Sequence, residues 1–268
     1  MNPQITRVSD ITVSVMRPAT PTTKPQVLLI HGMFGGAWHF EGYQRLLAER
    51  GYESHALNLR GHHGSRPVAD IGKIAITDYI ADATEVARVL RHSDGRGPFV
   101  IGYSMGGLVA QKLAESGASR ATVLLSSAPP RWIPVVSWLL LRKQLKYARG
   151  LLLFEPLMPD RGDADALMFN RTPVADRERL YSQLVPESGR AGFDLSFGTV
   201  AVQAHRVTAP VLVVTGTDDL FVVPRVARAL AQKYRATLRV YQSFAHHIVT
   251  EPGWERPAGD VVSWMDAL

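Results

Sequence analysis

A serine bracketed by glycines, Gly102-Tyr103-Ser104-Met105-Gly106, lies between the apolar run Pro98-Phe99-Val100-Ile101 and the helix-compatible stretch Gly107-Leu108-Val109-Ala110-Gln111-Lys112-Leu113. A strand, a tight turn and a helix must follow one another there within a few residues. Gly-x-Ser-x-Gly also turns up in ordinary glycine loops, but with these flanks it reads as a nucleophile elbow. The serine occupies a strained turn, and the glycines let strand and helix pass closely.

An elbow serine is a weak nucleophile unless a base takes its proton, and the base needs a carboxylate to hold its tautomer. In this architecture acid and base follow the serine in chain order, each at the end of a later strand. Residues 209–214, Ala-Pro-Val-Leu-Val-Val, have the continuous apolar character of a buried parallel strand and run into Thr215-Gly216-Thr217-Asp218-Asp219. The acid is therefore Asp219 or its neighbour Asp218. The strand candidate at 237–242 leads into Ser243-Phe244-Ala245-His246-His247, which offers His246 or His247 as base.

The same chemistry needs two backbone N–H groups for the oxyanion, one after the nucleophile and one from an early loop. The apolar strand at 26–30 runs into His31-Gly32-Met33-Phe34-Gly35-Gly36, so the expected donors are Met33 and Met105. His31 is expected to order this loop rather than to do chemistry.

Together these segments resemble the α/β-hydrolase superfamily over nearly the whole chain. His31 to Gly36 is similar to the family's His-Gly oxyanion loop, and Asn58-Leu59-Arg60-Gly61-His62-His63-Gly64-Ser65 to its Arg-Gly-His-Gly-x-Ser loop. Gly216-Thr217-Asp218-Asp219 matches the Gly-x-x-Asp turn, and His246 with Glu251 resembles the Gly-His-x-x-x-x-Glu segment. The resemblance thus implies Ser104, Asp219 and His246 as a triad. Two departures stand out: Ala245 replaces the usual glycine, and His62-His63 replaces a single histidine.

The length of 268 residues and 46% apolar content suit one α/β domain spanning residues 1–268, with a mostly parallel sheet covered by helices on both faces. Core strands are expected at 27–30, 53–57, 99–101, 121–125 and 211–214, and an edge strand at 11–15. Helices are expected at 77–90 with Thr77 as N-cap, at 108–114 with Gly117 as stop signal, at 224–232 and at 260–268. Between residues 128 and 203 the alternation breaks into a Trp-, Leu- and Phe-rich stretch, which a helical cap over the elbow would explain.

With no cysteine, thiolate chemistry and disulfides are excluded. The net charge of +6, without a nucleic-acid motif, points to solubility. No apolar signal core follows the first residues, which reads as a cytoplasmic chain or one already lacking its signal, and the apolar stretch at 133–141 is too short to span a bilayer. Arg131, Arg142, Lys143, Lys146 and Arg149 occur without an intervening acid. They form either a solvated helix face or an amphipathic cap segment that draws anionic substrates or an acidic membrane surface.

The resulting expectation is a serine carboxylesterase or lipase acting on small-molecule esters with an apolar acyl or alcohol group, needing neither metal nor organic cofactor. A serine at the elbow argues against relatives that use aspartate there, such as haloalkane dehalogenases and epoxide hydrolases. The same triad also serves carbon-carbon bond hydrolases and lyases, and a slow-turnover ligand receptor is the alternative from another class.

Overall fold

The computed structural model describes residues 3–134 and 145–268. Trp138, the leucines at 139–141, Arg142 and Lys143 fall outside the described residues.

Eight strands form one sheet in the order β1-β2-β4-β3-β5-β6-β7-β8. They are β1 (Gln4–Val8), β2 (Ile11–Met16), β3 (Val27–Ile30), β4 (Ser54–Leu57), β5 (Phe99–Tyr103), β6 (Ala121–Leu125), β7 (Val211–Gly216) and β8 (Thr237–Tyr241). β1 and β2 pair antiparallel, as do β2 and β4, and every later pairing is parallel. The parallel strands therefore release their C-terminal loops along a single sheet edge, where sites of this architecture are built.

The period of two along each strand divides the core. Leu28 and Ile30 of β3, Val100 of β5 and Val211 and Val213 of β7 face a cluster that includes helices α2 (Ile76–Val89) and α3 (Met105–Glu115). Val27, Leu29, Phe99, Ile101, Leu212 and Val214 face the opposite cluster, closed by α1 (Glu41–Glu49) and the C-terminal helix Glu255–Asp266. Burial on both faces is why these strands read as uninterrupted apolar runs.

The strand expected at the edge is an interior one. Residues 11–16 are wholly buried between β1 and β4, and β1 takes the edge instead, with the more polar sequence QITRV that such a position tolerates. Thr77 is not the N-cap of α2. Ala75 holds that position, and Asp78 reaches back to accept from its N–H at 2.9 Å, so a first-turn carboxylate satisfies the helix end. The C-terminal helix starts at Glu255, earlier than expected, because Pro257 lies in its first turn, where no intrahelical N–H is needed. Gly117 adopts φ +71° just past α3, as a stop signal should.

Between β6 and β7 the chain forms α4 (Ala148–Leu153), a turn at Arg161–Asp163 continuing into the π-helical Ala164–Met168, α5 (Val174–Tyr181) and α6 (Gly189–Phe197). Leu151, Leu157, Met168, Phe169, Leu180 and Leu184 make a third apolar cluster there, and Phe34 from the loop after β3 joins it. Of the basic run, Lys146 pairs with Asp160 and Asp163, Arg149 lies 3.0 Å from Glu155, and Arg131 sits over the Trp132 ring. Much of the described positive charge is therefore matched locally. Among the described residues no helix is long and apolar enough to cross a membrane.

Candidate active site

Ser104 follows the last residue of β5 with φ +53° and ψ −119°, a conformation that costs a non-glycine residue energy and that the surroundings must impose. Its N–H donates to Leu125 O at 3.0 Å, and its carbonyl accepts from Gly107 N and Ala128 N at 2.9 Å each. The turn is possible because α3 comes right up to β3. A Cβ on Gly106 would stand 2.2 Å from Ile30 O and 2.4 Å from His31 O.

Two later loops converge on this serine. Ser104 Oγ lies 3.0 Å from His246 Nε2, and His246 Nδ1–H donates to Asp219 at 3.0 and 3.1 Å. That donation leaves Nε2 with a lone pair facing the hydroxyl. Asp219 is itself held by the N–H groups of Phe221 and Val222, at 2.9 and 2.7 Å, and is almost fully buried. Phe221 stacks on the His246 ring at 5.0 Å and Tyr103 packs beside it, so the imidazole has little room to rotate.

The two neighbouring candidates lie elsewhere. Asp218 turns outward to the Arg171 guanidinium, which together with the Thr217 hydroxyl holds its carboxyl below the usual range. His247 is buried against Tyr103, His39 and Phe169 and bonds Thr250 Oγ1 at 2.5 Å. Burial first, then the adjacent His246, pushes its pKa down to about 3. It is a neutral core residue.

Glu251 secures the loop that carries His246 by accepting from Ala245 N at 2.7 Å. Burial pushes its carboxyl up to about 7, against the opposing pull of that bond and of His246. Ala245 fits where the family usually has glycine because its φ is not positive; the left-handed residue of this loop is Ser243.

Met105 is the first residue of α3, so its N–H has no carbonyl within the helix to bond. In the loop after β3, His31 Nδ1–H donates to Gly32 O at 2.8 Å while Leu59 N–H donates to His31 Nε2 at 3.1 Å. Both ring nitrogens are thus committed, and burial pushes the His31 pKa down to about 3. The carbonyl it holds belongs to the same peptide as the Met33 N–H, which fixes the plane of that group.

An apolar cleft opens from Ser104 and His246 between the sheet edge and the segment inserted after β6, with about 1220 Å³ of atom-free space, mouth included. Met33, Phe34, Leu151, Leu157, Met168, Leu195 and Phe221 line it, with Tyr147, Asp163 and Ser196 as polar members. Asp163 already accepts from Tyr147 Oη at 2.7 Å and from Lys146 Nζ at 3.3 Å.

Sequence reasoning missed Glu187. It is fully buried and belongs to the inserted segment, yet it bonds residues of the main domain: His62 Nε2 at 3.2 Å, Tyr79 Oη at 2.5 Å and Phe34 N at 3.4 Å. Burial alone would raise its pKa, but the His62 charge and the hydrogen bonds from His62, Tyr79 and Ser188 N outweigh it and hold the carboxyl low. A lone glutamate in a loop has no periodic or spacing signature that could have revealed it.

The family model described as Hydrolase_4, serine aminopeptidase, S33, matches residues 21–253. A pyrethroid hydrolase from Sphingobium wenxiniae is 23% identical over 256 residues, covering 91% of this chain and 89% of that protein. An sn-1-specific diacylglycerol lipase from Xenopus tropicalis is 31% identical over 114 residues, covering 42% of this chain and 33% of that one. The monoacylglycerol lipase of Paleococcus ferrophilus shares the fold with a TM-score of 0.74 at 21% identity, over 95% of this chain and 98% of that one. An esterase from Thermogutta terrifontis does so with a TM-score of 0.72 at 17% identity, over 98% of both chains.

Proposed function

This chain belongs to the Hydrolase_4, serine aminopeptidase S33, family of the α/β-hydrolase superfamily, and on that premise we propose that it hydrolyses carboxylic esters through Ser104, His246 and Asp219. The observation that carries this reading is the 3.0 Å contact between Ser104 Oγ and His246 Nε2, with Asp219 on the other ring nitrogen.

In the proposed cycle Ser104 Oγ attacks the ester carbonyl carbon as its proton passes to His246 Nε2. Asp219 keeps the imidazole in the accepting tautomer and stabilises the imidazolium that forms. The carbonyl oxygen becomes an oxyanion held by the Met33 and Met105 N–H groups. Collapse of the tetrahedral species breaks the bond to the alcohol, which leaves with the proton from His246, and Ser104 remains acylated. A water molecule then gives a proton to His246 and attacks the acyl carbon. The second collapse releases the acid and returns the proton to Ser104.

The substrate side of the proposal rests on the cleft. Its lining is mainly apolar, and its carboxylate, Asp163, is already engaged by Tyr147 and Lys146. This favours an ester with an apolar acyl or alcohol arm over a peptide with a charged amino terminus. We assign residues 128–203 as the cap that covers this cleft and selects the arm. The ester hydrolases among the relatives support the same reading at the level of reaction class.

The test is hydrolysis of p-nitrophenyl esters from acetate to palmitate, with Ser104→Ala beside the wild type. Turnover that disappears in the mutant supports the proposal. A folded wild type that turns over none of the series overturns it in favour of carbon-carbon bond cleavage, a lyase reaction or ligand reception on the same triad.

A further inference from the structure

Glu187 is a buried carboxylate placed where a packing residue would serve a cap more simply. Its Oε1 accepts from Tyr79 Oη at 2.5 Å and from its neighbour Ser188 N at 2.7 Å. Its Oε2 faces His62 Nε2 at 3.2 Å and accepts from Phe34 N–H at 3.4 Å. Phe34 is also gripped from its other side, where its carbonyl accepts from Val185 N at 2.9 Å. Phe34 adopts φ +64°, a left-handed conformation that a phenylalanine does not take unforced. Two hydrogen bonds from the inserted segment therefore hold a strained residue next to Met33.

We propose that Glu187 is a positioning residue for oxyanion stabilisation: by holding the Phe34 peptide from the inserted segment, it sets the orientation of the Met33 N–H toward Ser104. The proposal rests on the ester-hydrolase reading above. His31 fixes the peptide that precedes Met33 through Gly32 O, and Glu187 fixes the one that follows, so the donor sits between two anchored planes. His62 supplies the positive partner, with Nδ1 occupied by Arg60 O at 2.9 Å and Nε2 turned to the carboxylate. A donor aimed at developing charge loses much of its effect when displaced by a fraction of an ångström, so this anchoring acts on the transition state more than on substrate binding.

Glu187→Gln tests this with little change of shape. The amide oxygen must take the Oε1 place, where Tyr79 and Ser188 both donate, and this puts the amide nitrogen where Oε2 was. There it can donate to a neutral His62, but it turns a donor toward the Phe34 N–H and abolishes that bond. The expected result is a kcat about ten- to a hundredfold lower with KM within about twofold. Affinity for a trifluoromethyl ketone, whose hemiketal oxygen occupies the oxyanion position, should fall by the same factor, while affinity for the product acid should not. Amide hydrogen exchange across 31–36 should quicken, with the elbow peptide unchanged.

Unchanged kcat and trifluoromethyl ketone affinity would overturn the inference, as would a raised KM at constant kcat, which would make Glu187 a cleft residue only. Wild-type turnover and its loss in Ser104→Ala report on the ester-hydrolase reading separately. The exchange measurement tests the anchoring even if no ester is turned over, and unchanged exchange at 31–36 counts against it. If Glu187→Gln does not fold, Glu187→Asp serves the same comparison, since it keeps the charge opposite His62 but withdraws the carboxylate by one methylene.

Discussion

Asp218 and Asp219 are adjacent in the chain and face opposite environments: Asp219 is buried on His246 Nδ1, whereas Asp218 meets the Arg171 guanidinium at the surface. Their substitutions should separate sharply. Asp219→Asn is expected to lower kcat for a p-nitrophenyl ester by about 10⁴-fold, because an amide favours the wrong imidazole tautomer. Asp218→Asn should change it less than about threefold, as a surface pair contributes little. A larger loss for Asp218→Asn than for Asp219→Asn in steady-state kinetics would reverse the assignment.

The two histidines should divide in a different way. His246→Ala is expected to abolish turnover as completely as Ser104→Ala, because members of a triad act as a unit. His247→Ala opens a hole among Tyr103, His39 and Phe169 and should lower stability by about 2–4 kcal/mol while the remaining folded protein stays active. Urea unfolding run beside the ester assay distinguishes them, and a stable but inactive His247→Ala would count against His246 as the base.

At Gly106 backbone meets backbone. A methyl there would lie 2.2 Å from Ile30 O, and no side-chain rotation relieves it, so Gly106→Ala should cost about 3 kcal/mol or more. A melting temperature within a degree or two of wild type would show that α3 can draw back from β3.

The cleft offers a size test. Leu195→Trp adds bulk to the lining and should lower kcat/KM for long-chain esters about tenfold or more, leaving acetate nearly unaffected. An equal loss for every chain length would mean that Leu195 does not contact the acyl arm.

Glu251 gives the pH prediction. Its carboxyl is raised from 4.5 to about 7 in the folded protein, so the fold binds this proton more tightly than the unfolded chain does. The resulting stability is fully present below 4.5 and is lost as the pH rises through 7, a change on the order of 3 kcal/mol. Glu251→Gln keeps an acceptor for Ala245 N and cannot ionise. Thermal melts should show the variant gaining on wild type between pH 5 and pH 8; a gap that does not change with pH would mean Glu251 does not titrate there.

Much of this architecture is legible in the chain because its signals are local. The strands at 27–30 and 121–125 are read to the residue, since burial on both faces leaves an uninterrupted apolar run. The elbow is equally plain, because a turn that tight admits only glycine two residues to either side of Ser104, at Gly102 and Gly106. β1 is harder to see: an edge strand carries polar residues, and its partner Ile11–Met16 then looks like the edge itself.

The sequence by itself determined the α/β-hydrolase fold, the elbow and the two short stretches, 218–219 and 246–247, from which an acid and a base could come. Within each pair the local pattern leaves both residues open and only the family resemblance points to Asp219 and His246; in three dimensions His246 meets Ser104 and Asp219 meets His246, while Asp218 and His247 turn to other partners. Glu187 depended wholly on tertiary structure. Its four donors come from the loop after β3, the loop after β4, helix α2 and its own neighbour, brought together from up to 153 residues away. A buried carboxylate is tolerable only when such donors converge on it, and no pattern along the chain encodes that convergence.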